Sequence, residues 1–135
     1  MTLNNPYEQY IRAQFTTATP GKLLLMAYDG AIRFAKVAAE KMKEGKLDEQ
    51  SANIRKCQNI IAELMSSLNP EVNRQLADSL FALYSYLFDK LTHANIKDNS
   101  QALDEVIAML TELRAAWAEA DATVRTGASK EVKAA

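Results

Sequence analysis

An all-α fold is predicted, an antiparallel four-helix bundle with an additional short N-terminal helix or lid segment, and three features of the 135-residue chain support it. Glycine and proline are scarce, at 4 and 3 residues, which disfavours a fold of many strands joined by turns. Apolar residues recur at helical spacing over long stretches. All 3 prolines follow a capping residue, in Asn5-Pro6, Thr19-Pro20 and Asn69-Pro70. In that N-cap–N1 arrangement the missing N–H of proline costs nothing and its φ already suits a helix. Each pair therefore marks a predicted helix start.

From Pro20, one broad face carries Leu23, Met26, Ala27, Gly30, Ala31, Phe34, Val37, Ala38 and Lys41. Asp29, Arg33, Lys36, Glu40 and Lys43 fall on the other side. This helix is predicted to stop near Glu44, with Gly45 as its left-handed terminator. A second helix starts near Asp48 and carries Ile54, Cys57, Ile60, Ile61, Leu64, Met65 and Leu68. The third follows from Pro70 after a short connection, so these neighbours are expected to run antiparallel. Within it, residues 76–91 are apolar over about half the circumference, wider than the ~100° stripe a core needs. Leu76, Leu80, Leu83, Leu87 and Leu91 form a seam flanked by Ala77, Phe81, Tyr84 and Phe88. His93 to Asn95 is expected to end that helix, and residues 98–100 offer the next cap. The last helix buries Leu103, Val106, Ile107, Leu110, Leu113 and Trp117, and residues 121–135 lose periodicity and read as a flexible tail.

The segment before Thr19 stands apart. A helix over residues 6–15 would present Tyr7, Tyr10, Ile11 and Phe15 on its apolar side, and it is too short to persist unless it docks. It reads either as part of the core or as a detachable lid. The resulting organisation is a lid over residues 1–18, a bundle over 19–120 and a tail over 121–135.

Composition narrows the function. The chain is 48% hydrophobic and 24% charged with net charge −1, which gives no electrostatic footprint for nucleic acid or anionic lipid. No apolar run of membrane-spanning length and no secretory signal is visible. The single cysteine, Cys57, has no internal partner, so a reducing cytoplasm is the expected compartment. One histidine and one cysteine exclude a zinc site and a bundle-type di-metal centre, so no metal, cofactor or catalytic residue is expected. Pro20-Gly21-Lys22 lacks the glycine spacing of a phosphate loop. Gly30, inside a helix at a cost of about 1 kcal/mol relative to Ala, marks either close helix contact or a groove for an incoming segment. Surplus apolar surface without catalytic groups points to binding, and the candidate partner-binding residues are Tyr7, Tyr10, Ile11, Leu23, Met26, Ala27, Gly30, Phe81, Tyr84 and Phe88.

Five pieces in order resemble the flagellar secretion chaperone FliS family. They are Thr17-Ala-Thr-Pro-Gly-Lys-Leu-Leu-Leu-Met-Ala-Tyr-Asp-Gly-Ala31, Ile60-Ile61-Ala-Glu-Leu64, Leu83-Tyr84-Ser-Tyr86, Leu91-Thr-His-Ala-Asn95, and Glu105-Val106 through Leu113-Arg114-Ala-Ala-Trp117. The resemblance runs over about residues 7–118, with Thr19-Pro20 where Ser-Pro is usual. It implies a cytoplasmic, non-enzymatic chaperone of type III flagellar export. Such a protein holds the disordered C-terminal segment of flagellin, prevents premature polymerisation, and engages components of the export gate. It also implies that Tyr7 and Tyr10 belong to a lid and that Thr19 to Gly30 form part of the binding wall. The alternative is a structural or adaptor bundle whose apolar surface forms a homodimer.

Overall fold

The computed structural model describes residues 5–13 and 20–134. Among them there are helices and no strand: α1 (Pro6–Ala13), α2 (Pro20–Lys43), α3 (Leu47–Ser66), α4 (Arg74–Lys97) and α5 (Ser100–Ala134). The long helices close a ring in which α2 and α4 each pack between α3 and α5, while α1 lies against α5. Cross-links fix the directions. Asp29 pairs with Arg114, and Gly21 lies beside Asp121, so α2 and α5 are antiparallel. Gln50 bonds Asn95 and Gln58 bonds Thr92, so α3 and α4 are antiparallel too.

Local chemistry sets the boundaries. Gly45, at φ +72°, ends α2 in a Schellman pair: its N–H bonds the Met42 carbonyl, and the Lys46 N–H bonds that of Lys41. The α3 helix has Asp48 and Glu49 in its first turn, where the helix dipole favours anions. Asn99 caps α5 by accepting from the Ala102 N–H at 3.2 Å.

Four expectations need correction. Asn69-Pro70 does not begin α4. Asn69 Oδ1 accepts from the Glu71 N–H in a turn, and the extended Asn73 caps the helix by accepting from the Leu76 N–H at 2.9 Å. The helix also does not end over His93 to Asn95. Ala94 is fully buried and Asn95 accepts from Gln50 and Ser51, so packing against α3 carries α4 to Lys97, where Asp98 turns left-handed at φ 51°. Residues beyond Asp121 are not aperiodic tail: α5 continues to Ala134, because Asp121 and Val124 are buried and Arg125 bonds the Asp121 carboxylate one turn back. Finally, α2 is turned partway from its expected face, which keeps Ala31 and Ala38 inside but not Leu23 and Met26. Tyr28, Ala31, Ala35 and Ala38 are fully buried, while Leu23 and Met26 are 61% and 59% exposed. Three alanines let the α2 backbone approach its neighbours closely, and the bulkier side chains are left outside. Phe15 and the Thr19 cap lie outside the described residues.

The other helices present the expected seams. Ile54, Cys57, Ile61 and Leu64 of α3 meet Leu76, Leu80, Leu87 and Leu91 of α4 and Leu103, Val106, Leu110 and Trp117 of α5 in one continuous core.

Candidate functional site

At the end of the bundle where α1 lies, the core contains a polar knot. The Trp117 Nε1–H donates to the Tyr28 hydroxyl at 3.0 Å, and Tyr28 and Tyr84 share a short hydroxyl–hydroxyl bond. Three helices thus contribute one side chain each, and each polar atom finds a partner away from water, as burial requires. Burial raises the Tyr28 phenol far above its ordinary range, with the neighbouring Tyr84 adding to it, and pushes Tyr84 up to about 12. Both therefore stay neutral and serve as structural hydrogen-bonding groups.

The α1 helix covers this knot. Tyr7 and Tyr10 stand edge-on to the Trp117 ring at 4.7 Å and 5.6 Å, an arrangement that aligns aromatic quadrupoles favourably. Tyr10 and Ile11 are buried, and Tyr7 is half-buried. The polar ties reach the α3–α4 connection: the Tyr10 hydroxyl donates to the Ser67 carbonyl at 2.8 Å, and the Asn73 side chain donates to Gln9 at 3.2 Å. Glu8 is also buried, and its Oε1 has no hydrogen-bond partner among the described residues.

Two apolar strips flank α3. On α2, Leu23, Ala27 and Gly30 follow one stripe, with Met26 beside it. This stripe faces α3, since a Cβ built on Gly30 would meet Ile60 Cδ1 at 3.2 Å. Leu23 and Met26 are exposed, and Ala27 and Gly30 are half-buried. On α4, Phe81 and Phe88 lie on the side where Gln58 of α3 donates to the Phe88 carbonyl at 3.0 Å. Phe81 is 53% exposed and Phe88 half-buried. The Tyr28–Tyr84 bond sets Leu23, Met26 and Phe81 within about two turns of one level along the bundle, in the half that α1 covers.

The ten predicted residues therefore divide. Tyr7, Tyr10 and Ile11 sit together on Trp117; Leu23, Met26, Ala27 and Gly30 line one flank of α3; Phe81 and Phe88 line the other. Tyr84 belongs to the interior and contacts neither strip's solvent side. Sequence reading missed Tyr28, which period-3.6 counting placed off the expected α2 face. It also passed over Leu47 and Ile96, which are 57% and 71% exposed at the opposite end of the bundle.

Among the described residues no group of three or more His, Cys, Asp or Glu side chains is placed to hold a metal. His93 is exposed on α4. Burial pushes the Cys57 thiol up to about 12, so it remains protonated and unreactive. No described helix is long and apolar enough to cross a membrane.

A family model described as flagellar protein FliS matches residues 3–124. The flagellar secretion chaperone FliS of Bacillus subtilis (strain 168) is 38% identical over 120 residues, which cover 89% of each chain. The flagellar secretion chaperone FliS of Vibrio cholerae is 31% identical over 107 residues, 79% of each chain. FliSB of Pseudomonas aeruginosa, also a flagellar secretion chaperone, is 32% identical over 112 residues, which are 82% of this chain and 89% of that one.

Proposed function

This chain belongs to the flagellar protein FliS family of flagellar export chaperones, and on that premise we propose that its client is the disordered C-terminal segment of flagellin, held in the cytoplasm until export. The observation that carries this reading is the exposure of Leu23, Met26 and Phe81 on both flanks of α3, beside a short helix that covers more apolar surface. A monomeric protein gains nothing from leaving large apolar side chains grouped in water, and such grouping marks a contact surface.

The mechanism is folding coupled to binding. A client segment that is disordered alone loses conformational freedom on docking, at a cost of several kcal/mol. Burying about 1,000 Å² of apolar surface at roughly 25 cal/mol per Å² offsets that cost. Apolar client positions at helical or alternating spacing seat beside α3 against Leu23, Met26, Phe81 and Phe88. While bound, the segment is unavailable for polymerisation. When α1 leaves Trp117, the Tyr7–Tyr10 side of the bundle adds further apolar surface. No step in this cycle needs bond chemistry, and components of the export gate then receive the complex.

Isothermal titration of the chain with a flagellin C-terminal peptide tests the reading. Micromolar or tighter binding is expected; its absence would refute it. A stable dimer in light scattering that ignores the peptide would instead favour an adaptor bundle that uses its apolar surface for self-association.

A further inference from the structure

Between the two ends of the α2–α3 flank lies a charge pattern that an apolar client alone does not call for. The Arg33 guanidinium stands 5.0 Å from the centre of the Phe34 ring, and the Lys56 ammonium of α3 stands 5.5 Å from the same ring. Both cations are exposed. Neither makes an ion pair among the described residues. The acids nearby are engaged elsewhere: Asp29 holds Arg114, and Glu49 holds Lys41. Glu40 and Glu63 remain exposed toward opposite ends of the flank, and Lys36 adds positive charge near its middle. A chain of net charge −1 thus keeps a cationic spot beside its exposed apolar strip.

The spacing of this spot suits a peptide. Leu23 and Met26 lie two to three turns before Phe34 on α2, and Gly30 between them presents no side chain. The flank therefore reads as an apolar seat, a low stretch, and then an aromatic ring that carries one cation from α2 and one from α3. A carboxylate set between a guanidinium and an ammonium gains charge-assisted hydrogen bonds.

We propose that the α2–α3 flank selects a client segment that seats apolar side chains on Leu23 and Met26 and sets an Asp or Glu carboxylate between Arg33 and Lys56. This rests on the flagellin reading and adds a charge requirement to it.

The test uses the whole chain and two flagellin C-terminal peptides, one native and one with every Asp and Glu changed to Asn and Gln. Titration at low salt is expected to show about three- to tenfold weaker binding of the amide peptide, a range typical of partly exposed charge pairs. The R33Q/K56Q variant is expected to lose a similar factor toward the native peptide and to treat the two peptides alike. Raising the salt is expected to erase the difference in the unmodified chain. Equal binding of both peptides by the unmodified chain overturns the charge requirement while leaving the flagellin reading intact. Binding of neither peptide overturns both. A dimer that R33Q/K56Q dissolves assigns the spot to a second copy of the chain and also overturns the proposal.

Discussion

Ile11→Ala distinguishes a lid from a fifth element of the core. Ile11 is 1% exposed, and truncating such a residue costs about 2–5 kcal/mol when its surroundings stay in place. The helix that carries it has 8 residues, too few to be stable alone. It rests on two aromatic edges, two buried apolar side chains and a few polar ties. When docking is worth less than the truncation, α1 leaves and the bundle is spared the remainder. The global stability lost by Ile11→Ala is therefore expected to stay below the full core penalty, at about 1–2 kcal/mol by urea denaturation. Trp117 is the sole tryptophan, so its emission reports directly on whether Tyr7 and Tyr10 cover it. A red shift in the native baseline with helicity almost unchanged is expected. If docking of about 1.4 kcal/mol competes with the client, its removal tightens flagellin-peptide binding by about tenfold, since only the open fraction binds. A loss of 3 kcal/mol or more with unshifted Trp117 emission would refute this reasoning and make α1 ordinary core.

Further outcomes follow from the interior. Gly21→Ala is expected to destabilise by about 1–3 kcal/mol in denaturant titration, because a Cβ there would lie 2.0 Å from Asp121 Oδ1 and 3.3 Å from Asp121 Cβ, with the carboxylate already bonded to Arg125. Gly30→Ala is expected to leave thermal unfolding unchanged or raise it: the new Cβ meets only the mobile end of Ile60 at 3.2 Å, and the gain in helix propensity approaches 1 kcal/mol. Tyr28→Phe is expected to cost about 1–3 kcal/mol, more than Tyr84→Phe, since it strips the acceptor from Trp117 Nε1–H and the partner from Tyr84 together. Tyr28 and Tyr84 keep their protons in the fold above the ordinary phenol value of 10.0, so the unfolded chain ionises first. Their contribution is complete below pH 10 and is lost as pH rises toward and past 12, and phenolate absorbance of both is expected to appear only with unfolding.

The fold was legible where local chemistry and period agree. Leu76, Leu80, Leu87 and Leu91 of α4 and Leu103, Val106, Leu110, Leu113 and Trp117 of α5 recur at core spacing, and they are in the core, with Leu83 and Ile107 half-buried at its edge. Gly45 ends α2 where a left-handed residue was needed. Legibility failed where two local signals competed or where packing overruled them. Asn69 and Asn73 both suit an N-cap, and only tertiary placement selects Asn73. The α4 end falls at Asp98 and not over His93 to Asn95, because Gln50 and Ser51 hold Asn95 in register. Past residue 121 the weak periodicity concealed Val124, which is 1% exposed.

The rotation of α2 is the failure that bears most on function. Counting hydrophobicity puts Leu23 and Met26 inside and gives no reason to prefer Tyr28, whose hydroxyl is costly to bury alone. That cost vanishes once Trp117 and Tyr84 supply partners from two other helices, a fact no local window contains. With Tyr28 satisfied, the alanines at 31, 35 and 38 close the seam, and the larger side chains are displaced to the surface. The polar knot and the exposed strip are thus two consequences of one packing choice. Disrupting the knot is expected to weaken client binding along with stability, because Tyr28 shares one helix with Leu23 and Met26, so any turn of α2 that loosens the first also moves the other two. Tyr28→Phe, titrated with the flagellin peptide under conditions where it stays folded, is expected to bind more weakly than Tyr84→Phe. Equal affinities would separate the strip from the knot and leave the exposure of Leu23 and Met26 to be set by the alanine seam alone.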